Sequence, residues 1–211
     1  MEMNKVYCGN CLDLIDNLDI RPNLIIMSPP DLENNFTITE YNIFINKIYN
    51  KCIDKLHPDG VLVSSTTDRK MGGKIYLKHI DIINSISNKA DLFNYKIWAK
   101  KLGVNLYILT YAHLLFFRKS KKNINNKIKE FYPDVWLIEN DKVKGYKNKD
   151  SFPTELVRRF ILNFTNENDL VFDPFIGTGK TGLMAKKLGR NYIGFEIDEN
   201  NVNIANNLIN N

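Results

Sequence analysis

Val171-Phe172-Asp173-Pro174-Phe175-Ile176-Gly177-Thr178-Gly179-Lys180-Thr181-Gly182 reads as a strand that runs out into a glycine-rich turn and then opens a helix. Gly177, Gly179 and Gly182 follow G-x-G-x-x-G. In that pattern glycines allow a tight turn, close approach of backbone to a ligand, and close packing of helix on sheet. A following strand, Tyr192–Phe195, ends at Glu196, where a carboxylate can accept hydrogen bonds from ribose hydroxyls. Strand, turn, helix and acid in this order point to an adenosine-containing ligand. Asp173, Phe175, Gly177, Gly179, Thr181 and Glu196 are its candidate contacts.

Three ligand classes compete for such a loop. Gly179-Lys180-Thr181 looks like the end of a phosphate-binding P-loop, but that motif needs glycine where this chain has Pro174. A dinucleotide is a second candidate. S-adenosylmethionine is favoured by Asp173: an acid at the strand's end repels a pyrophosphate but attracts a cationic amino group. A purely local role for Asp173, capping the next turn, is the competing reading.

Outward from the loop, strands and helices alternate. Lys5–Tyr7, Leu24–Met27, Val61–Val63, Phe93–Trp98, His113–Phe117, Leu170–Phe172 and Tyr192–Phe195 read as strands. Leu12–Leu18, Tyr41–Leu56, Lys74–Ser87, Glu155–Phe164, Lys180–Leu188 and Asn200–Ile209 read as helices, with Ser151 and Pro153 opening the fourth. Repeated βα units imply an α/β, doubly wound, mostly parallel sheet, with Phe93–Trp98 and His113–Phe117 as antiparallel neighbours. The 211 residues suit a single domain, 1–211, interrupted only by a compositional break near Ser120–Asp150.

Leu24-Ile25-Ile26-Met27-Ser28-Pro29-Pro30-Asp31 is the second constellation. An apolar strand stops at a hydroxyl residue followed by two prolines. Neither proline has an N–H and both have fixed φ, so the turn is stiff and holds the Ser28 and Pro29 carbonyls in set directions. Stiff acceptors at a strand's C-terminal end suit recognition of an amino group. Taken alone, Pro-Pro would be a plain strand terminator.

Together these elements resemble the amino-group DNA methyltransferases. Ser28-Pro29-Pro30 resembles their catalytic (S/D/N)PP(Y/F) motif, and Asp173-Pro174-Phe175-Ile176-Gly177-Thr178-Gly179 their cofactor motif, DPFxGSG. Tyr7-Cys8-Gly9-Asn10-Cys11-Leu12-Asp13-Leu14, Phe152-Pro153-Thr154-Glu155-Leu156 and Gly189-Arg190-Asn191-Tyr192-Ile193-Gly194-Phe195-Glu196 resemble three further family segments. The catalytic motif precedes the cofactor motif, as in the family's circularly permuted β-group. The resemblance implies a Rossmann-like, seven-stranded sheet with one antiparallel strand, and termini close together beside the cofactor cleft. It implies S-adenosylmethionine as cofactor, with Asn10 near its adenine, and DNA as substrate, its target base flipped into a pocket. Ser28, Pro29, Pro30 and Asp31 are the implied catalytic residues. A serine first in the motif is typical of cytosine-N4 enzymes, though adenine-N6 enzymes use it as well. A catalytically weak or inactive DNA-binding subunit is the alternative.

Three departures from the pattern matter. Asp31 stands where the family has the aromatic that stacks on the flipped base, a contact worth ~1–3 kcal/mol by analogy. It is expected to repel phosphate, with Phe36 or Tyr41 as replacements for the ring, and Asp31→Tyr is expected to hold or raise activity. Asn10 replaces an Asp, an exchange that leaves one amide acceptor. Third, the span 119–150 leaves little room for target recognition, so specificity is loose, short, or supplied by a homodimer mate or specificity partner.

The charge is uneven. Net charge is +5 overall, and Arg118–Lys149 carries 10 basic and 4 acidic residues. Such clustering suits a polyanion such as DNA, with Lys119, Lys121 and Lys122 leading, or else a solvated loop. No run of 18 apolar residues and no leader pattern are present, so neither a membrane partner nor export is expected, and an intracellular, cytoplasmic setting is. Three cysteines exclude a disulfide framework, and the C-x-x-C of Cys8 and Cys11 has no second pair. No metal site is expected. His57, His79 and His113 read as structural or surface residues, and Trp136 as either a cleft or a core aromatic.

Overall fold

The structure, a computed structural model, describes residues 1–31, 37–100, 110–119, 130, 132–141 and 152–210. The elements in chain order are β1 (Lys5–Cys8), α1 (Cys11–Leu14), β2 (Leu24–Met27), α2 (Ile38–Lys55), β3 (Val61–Thr66), β4 (Arg69–Met71), β5 (Lys74–Tyr76), α3 (Lys78–Ile86), β6 (Asp91–Ala99), β7 (Tyr111–Arg118), β8 (Val135–Leu137), α4 (Thr154–Phe164), β9 (Leu170–Asp173), α5 (Lys180–Lys187), β10 (Asn191–Glu196) and α6 (Glu199–Asn210). A 3₁₀ turn, Ile15–Asn17, completes the short helical stretch after β1.

One sheet runs β1-β10-β9-β2-β3-β7-β6-β8. Its first seven members are the seven expected strands. Strand β7 is the antiparallel member, opposed to both β3 and β6. The eighth, β8, is a three-residue strand added in parallel to the β6 edge.

The central strands are apolar on both faces, as parallel strands covered by helices must be. Leu24 and Ile26 face one core cluster with α4, α5 and α6. Ile25 and Met27 face the other, with α1, α2 and α3. Helix α2 starts at a reciprocal cap in which the Thr37 hydroxyl accepts from the Glu40 N–H and the Glu40 carboxylate accepts from the Thr37 N–H. Trp136 is a core aromatic: it is buried against Phe160, with Tyr132 edge-on to it.

Two sequence expectations change. The helix expected over 74–87 begins only at Lys78, because Arg69–Met71 and Lys74–Tyr76 pair as a hairpin around Gly72-Gly73. Both glycines have positive φ, 54° and 76°, which the favoured two-residue hairpin turn requires. The termini do approach each other, but against the helix that the glycine loop opens rather than at the C-terminal ends of the strands. The Asn4 N–H donates to the Tyr192 carbonyl at 2.6 Å. Ile209 and Tyr192 both adjoin Gly182. Tyr192 is the second residue of β10, so this meeting lies at the edge of the sheet opposite the strand C-termini. Ser151, Phe36 and most of 120–150 lie outside the described residues. Among the described residues no helix is long and apolar enough to cross a membrane.

Helix α6 sits so tightly on the loop helix that a Cβ at Gly182 would lie 2.7 Å from Ile209 Cδ1 and 3.0 Å from the Tyr192 ring. Gly182→Val is therefore expected to overpack this contact by about 1–3 kcal/mol and lower the melting temperature by roughly 2–10 °C. An unchanged melting curve in circular dichroism would show that α6 is not seated there.

Candidate functional site

Strands β2 and β9 are parallel neighbours, with Leu24 opposite Val171 and Ile25 opposite Phe172. Their C-terminal ends therefore lie side by side, and Ser28-Pro29-Pro30 emerges next to Asp173 and the glycine turn. From this pair the chain turns to opposite sides, β2 leading to β3 and β9 to β10. That is the topological switch at which open α/β sheets bind ligands. Strand β10 brings Glu196 to the same edge. The Gly9 N–H donates to the Glu196 carbonyl at 2.9 Å, which places Asn10 alongside.

The loop is held from below by Asp173, which is buried. One carboxylate oxygen accepts the Phe175 N–H at 2.9 Å and the other the Thr181 hydroxyl at 2.6 Å. The local reading of Asp173 is thus correct as far as its bonds show: it ties strand, turn and helix together. Burial pushes its carboxyl up to about 7, with Glu196 adding to the rise against those two bonds.

The glycines divide the work. Gly177 has φ 53° and open space where a side chain would stand, whereas Gly179 lies against Ala205 of α6 and Gly182 against Ile209. Only Gly177 leaves room for close approach of another group, and the other two serve packing. Thr178 is buried, and its hydroxyl has no partner among the described residues. Lys180 does not face the cleft. Its ammonium is buried and bonds Asp141 at 2.7 Å, while Asp141 also receives the Thr154 N–H at the start of α4. The P-loop reading fails on this point, because the lysine it needs is spent inside the protein.

On the β2 side, Ser28 and Pro29 are half-buried and Pro30 is exposed. The Ser28 hydroxyl makes no hydrogen bond among the described residues. Asp31, expected to repel phosphate, has its charge matched. It forms an ion pair with Lys78 at the start of α3, and Arg69 lies 4.0 Å away. The Lys78 side chain is only 3% exposed and sits over the Tyr41 ring. Tyr41 itself is buried, so it does not offer a stacking face to the cleft. Lys78 is the residue sequence reasoning missed, since 47 positions separate it from Asp31.

The other candidates fall into place. The Asn10 side chain accepts the Leu12 N–H at 2.9 Å and so caps α1. Phe175 packs edge-on to Phe44. Cys11 and Cys52 are core thiols, Cys11 pushed up to about 11 by burial. His57 accepts the Asp59 N–H in a turn. Lys119 is not a cleft cation: it donates to the Leu56 carbonyl at 2.8 Å beyond α2, at the far end of the sheet. Lys121 and Lys122 lie outside the described residues.

The chain matches the family model described as DNA methylase over residues 23–207. It is 28% identical to the type II methyltransferase M1.MboII of Moraxella bovis, with 100% of this chain and 98% of that protein covered. It is similar to the solved M1.HpyAVI–SAM complex, with a TM-score of 0.73 at 25% identity over 98% of this chain and 99% of that one. It shares its fold with the PvuII DNA methyltransferase, cytosine-N4-specific, with a TM-score of 0.76 at 20% identity over 97% and 92%.

Two outcomes follow from the geometry. Unfolding returns the Asp173 carboxyl to its ordinary range near 4, so between about pH 4 and 7 the folded chain holds a proton that the unfolded chain lacks. The stability contributed by this group is full below pH 4 and is lost as pH rises through 7, an effect on the order of a few kcal/mol. Melting temperature measured across pH 4.5–7.5 should decline less in Asp173→Asn than in the parent; equal slopes would remove Asp173 as the cause. Asp31→Tyr should strand the buried Lys78 ammonium and destabilise by about 1–3 kcal/mol, reduced from a fully buried pair because Asp31 is largely exposed. Adding Lys78→Met should recover the loss. An Asp31→Tyr single variant as stable as the parent would show that Lys78 does not depend on Asp31.

Proposed function

The chain belongs to the DNA methylase family, with S-adenosylmethionine as its cofactor, and we propose that it transfers a methyl group to an exocyclic amino group of DNA, cytosine N4 ahead of adenine N6. The observation that carries this is the parallel pairing of β2 with β9, which sets the Ser28-Pro29-Pro30 turn beside the glycine loop.

The loop suits the cofactor. Gly177 leaves room for close approach, the Thr178 hydroxyl is unpartnered among the described residues, and Glu196 sets a carboxyl group at the end of β10. S-adenosylmethionine supplies an electrophilic methyl group on a sulfonium. The rest of the chemistry is positioning by this chain. A flipped base would place its amine against the Ser28 hydroxyl and the Pro29 carbonyl, both acceptors. Two N–H bonds to fixed acceptors keep electron density on nitrogen and aim its lone pair at the methyl group. No covalent adduct with the base is needed, and the buried thiols Cys11 and Cys52 are not placed to form one. The serine first in the motif is what favours cytosine N4.

The basic span 119–150 is the candidate for phosphate contacts, less Lys119, whose ammonium is bonded to backbone carbonyls. With Asp31 ion-paired, its charge gives no support to an inactive subunit, and the missing ring is what keeps that alternative.

Ser28→Ala removes one preorganised acceptor and should cost on the order of 10²-fold in rate while leaving cofactor affinity within a few-fold. The assay is mass spectrometry of nucleosides from DNA incubated with protein and methyl donor. N4-methylcytosine is the expected product. N6-methyladenine alone would overturn the base preference, and the absence of both on varied DNA would overturn the enzyme reading.

A further inference from the structure

Asp68, His79 and His113 come from three separate elements and meet at one point. Asp68 follows β3, His79 stands in the first turn of α3, and His113 lies in β7 opposite Thr66. His79 Nδ1 is 2.8 Å from one Asp68 oxygen, and His113 Nε2 is 3.2 Å from the other. The two imidazoles stack with centroids 3.9 Å apart and planes 17° from parallel. Each ring thus turns one nitrogen to the same carboxylate.

The environment of this carboxylate is unusual. The Asp68 side chain is 4% exposed and the His113 side chain 6%. Its partners are the two imidazoles and the His79 N–H, at 3.4 Å. Among the described residues no Lys or Arg forms an ion pair with it. Two imidazole nitrogens converging on one buried carboxylate are a set of side chains that proteins use to hold a metal ion. The other His113 nitrogen, Nδ1, is held by the Tyr95 hydroxyl. A ring fixed in this way has its remaining nitrogen oriented, as in imidazoles that ligate metals.

We propose that Asp68, His79 and His113 form a binding site for one divalent transition-metal cation of the zinc type. The candidate ligand atoms all lie within 4.8 Å of one another. Side-chain rotation closes that spacing around a cation with bonds of about 2.0–2.1 Å. Two imidazole nitrogens and one carboxylate suit zinc, cobalt or iron(II) rather than magnesium, which prefers oxygen ligands and its own water. Three protein ligands leave positions for water. A bound cation would pin the start of α3, where Lys78 meets Asp31, to the ends of β3 and β7. The assignment is independent of the methyl-transfer reading, because it rests on these side chains alone.

The test is calorimetry with zinc chloride on metal-stripped full-length protein, together with cobalt(II) absorption spectroscopy. The expected result is one zinc per chain, with visible cobalt bands and no sulfur-to-cobalt charge-transfer band. His79→Ala, the mildest variant because His79 is the most exposed of the three, should weaken binding at least tenfold while the circular dichroism spectrum stays native. Asp68→Asn should do the same, and Cys8→Ser should change nothing. Zinc should raise the melting temperature of the parent but not of His79→Ala. The assignment is overturned by absence of stoichiometric binding to the parent, by equal binding in His79→Ala, or by a charge-transfer band that Cys8→Ser abolishes. Loss of stability in His79→Ala without any zinc binding by the parent would show a hydrogen-bonded clamp instead.

Discussion

Everything at this site depends on the parallel pairing of β2 with β9. The paired residues Leu24 and Val171 are 147 positions apart in a chain of 211. The pairing is not driven by local propensity. It follows from burying strands that are apolar on both faces between two helical layers. Once the strands are in register their ends must coincide, and two stiff devices are set side by side. One is stiff because prolines fix φ, the other because a buried carboxylate bonds both the turn and the helix that follows. Neither would form a site alone.

The glycine loop shows how one sequence pattern hides different causes. Gly179 and Gly182 are needed because α6 approaches to within contact distance, while Gly177 faces open space. The helix that closes the chain therefore shapes the loop from behind. Asp173 is shaped by the same packing: two donors hold it at the strand end, and its burial raises its protonation point against them.

Local pattern made the seven main strands, the helices and both motifs readable, because hydrophobic period, glycine spacing and proline turns are all short-range signals. What stayed hidden is long-range or conflicts with a local signal. The Ile residues of 74–87 suggested a long helix, but Gly72-Gly73 forces a hairpin first, and the helix starts four residues late. Lys119 looked like a DNA contact from charge alone, yet its ammonium serves the carbonyls beyond α2. Asp68, His79 and His113 each look ordinary in sequence. Only the adjacency of β3, β7 and α3 makes them a cluster. The same adjacency delivers Lys78 to Asp31.

That last contact bears on how a motif departure is to be weighed. An aspartate in the place of a stacking aromatic brings two losses on paper, a ring removed and a charge added. Lys78 and Arg69 cancel the second, since a paired carboxylate presents little net field to a phosphate. The first is not replaced by Tyr41, which lies beneath Lys78 rather than beside the cleft. In the proposed reaction the described part of the site would therefore hold a base by its amine, at Ser28 and Pro29, more than by its face. Selection between bases at such a site rests on where the two acceptors sit relative to the ring they must receive.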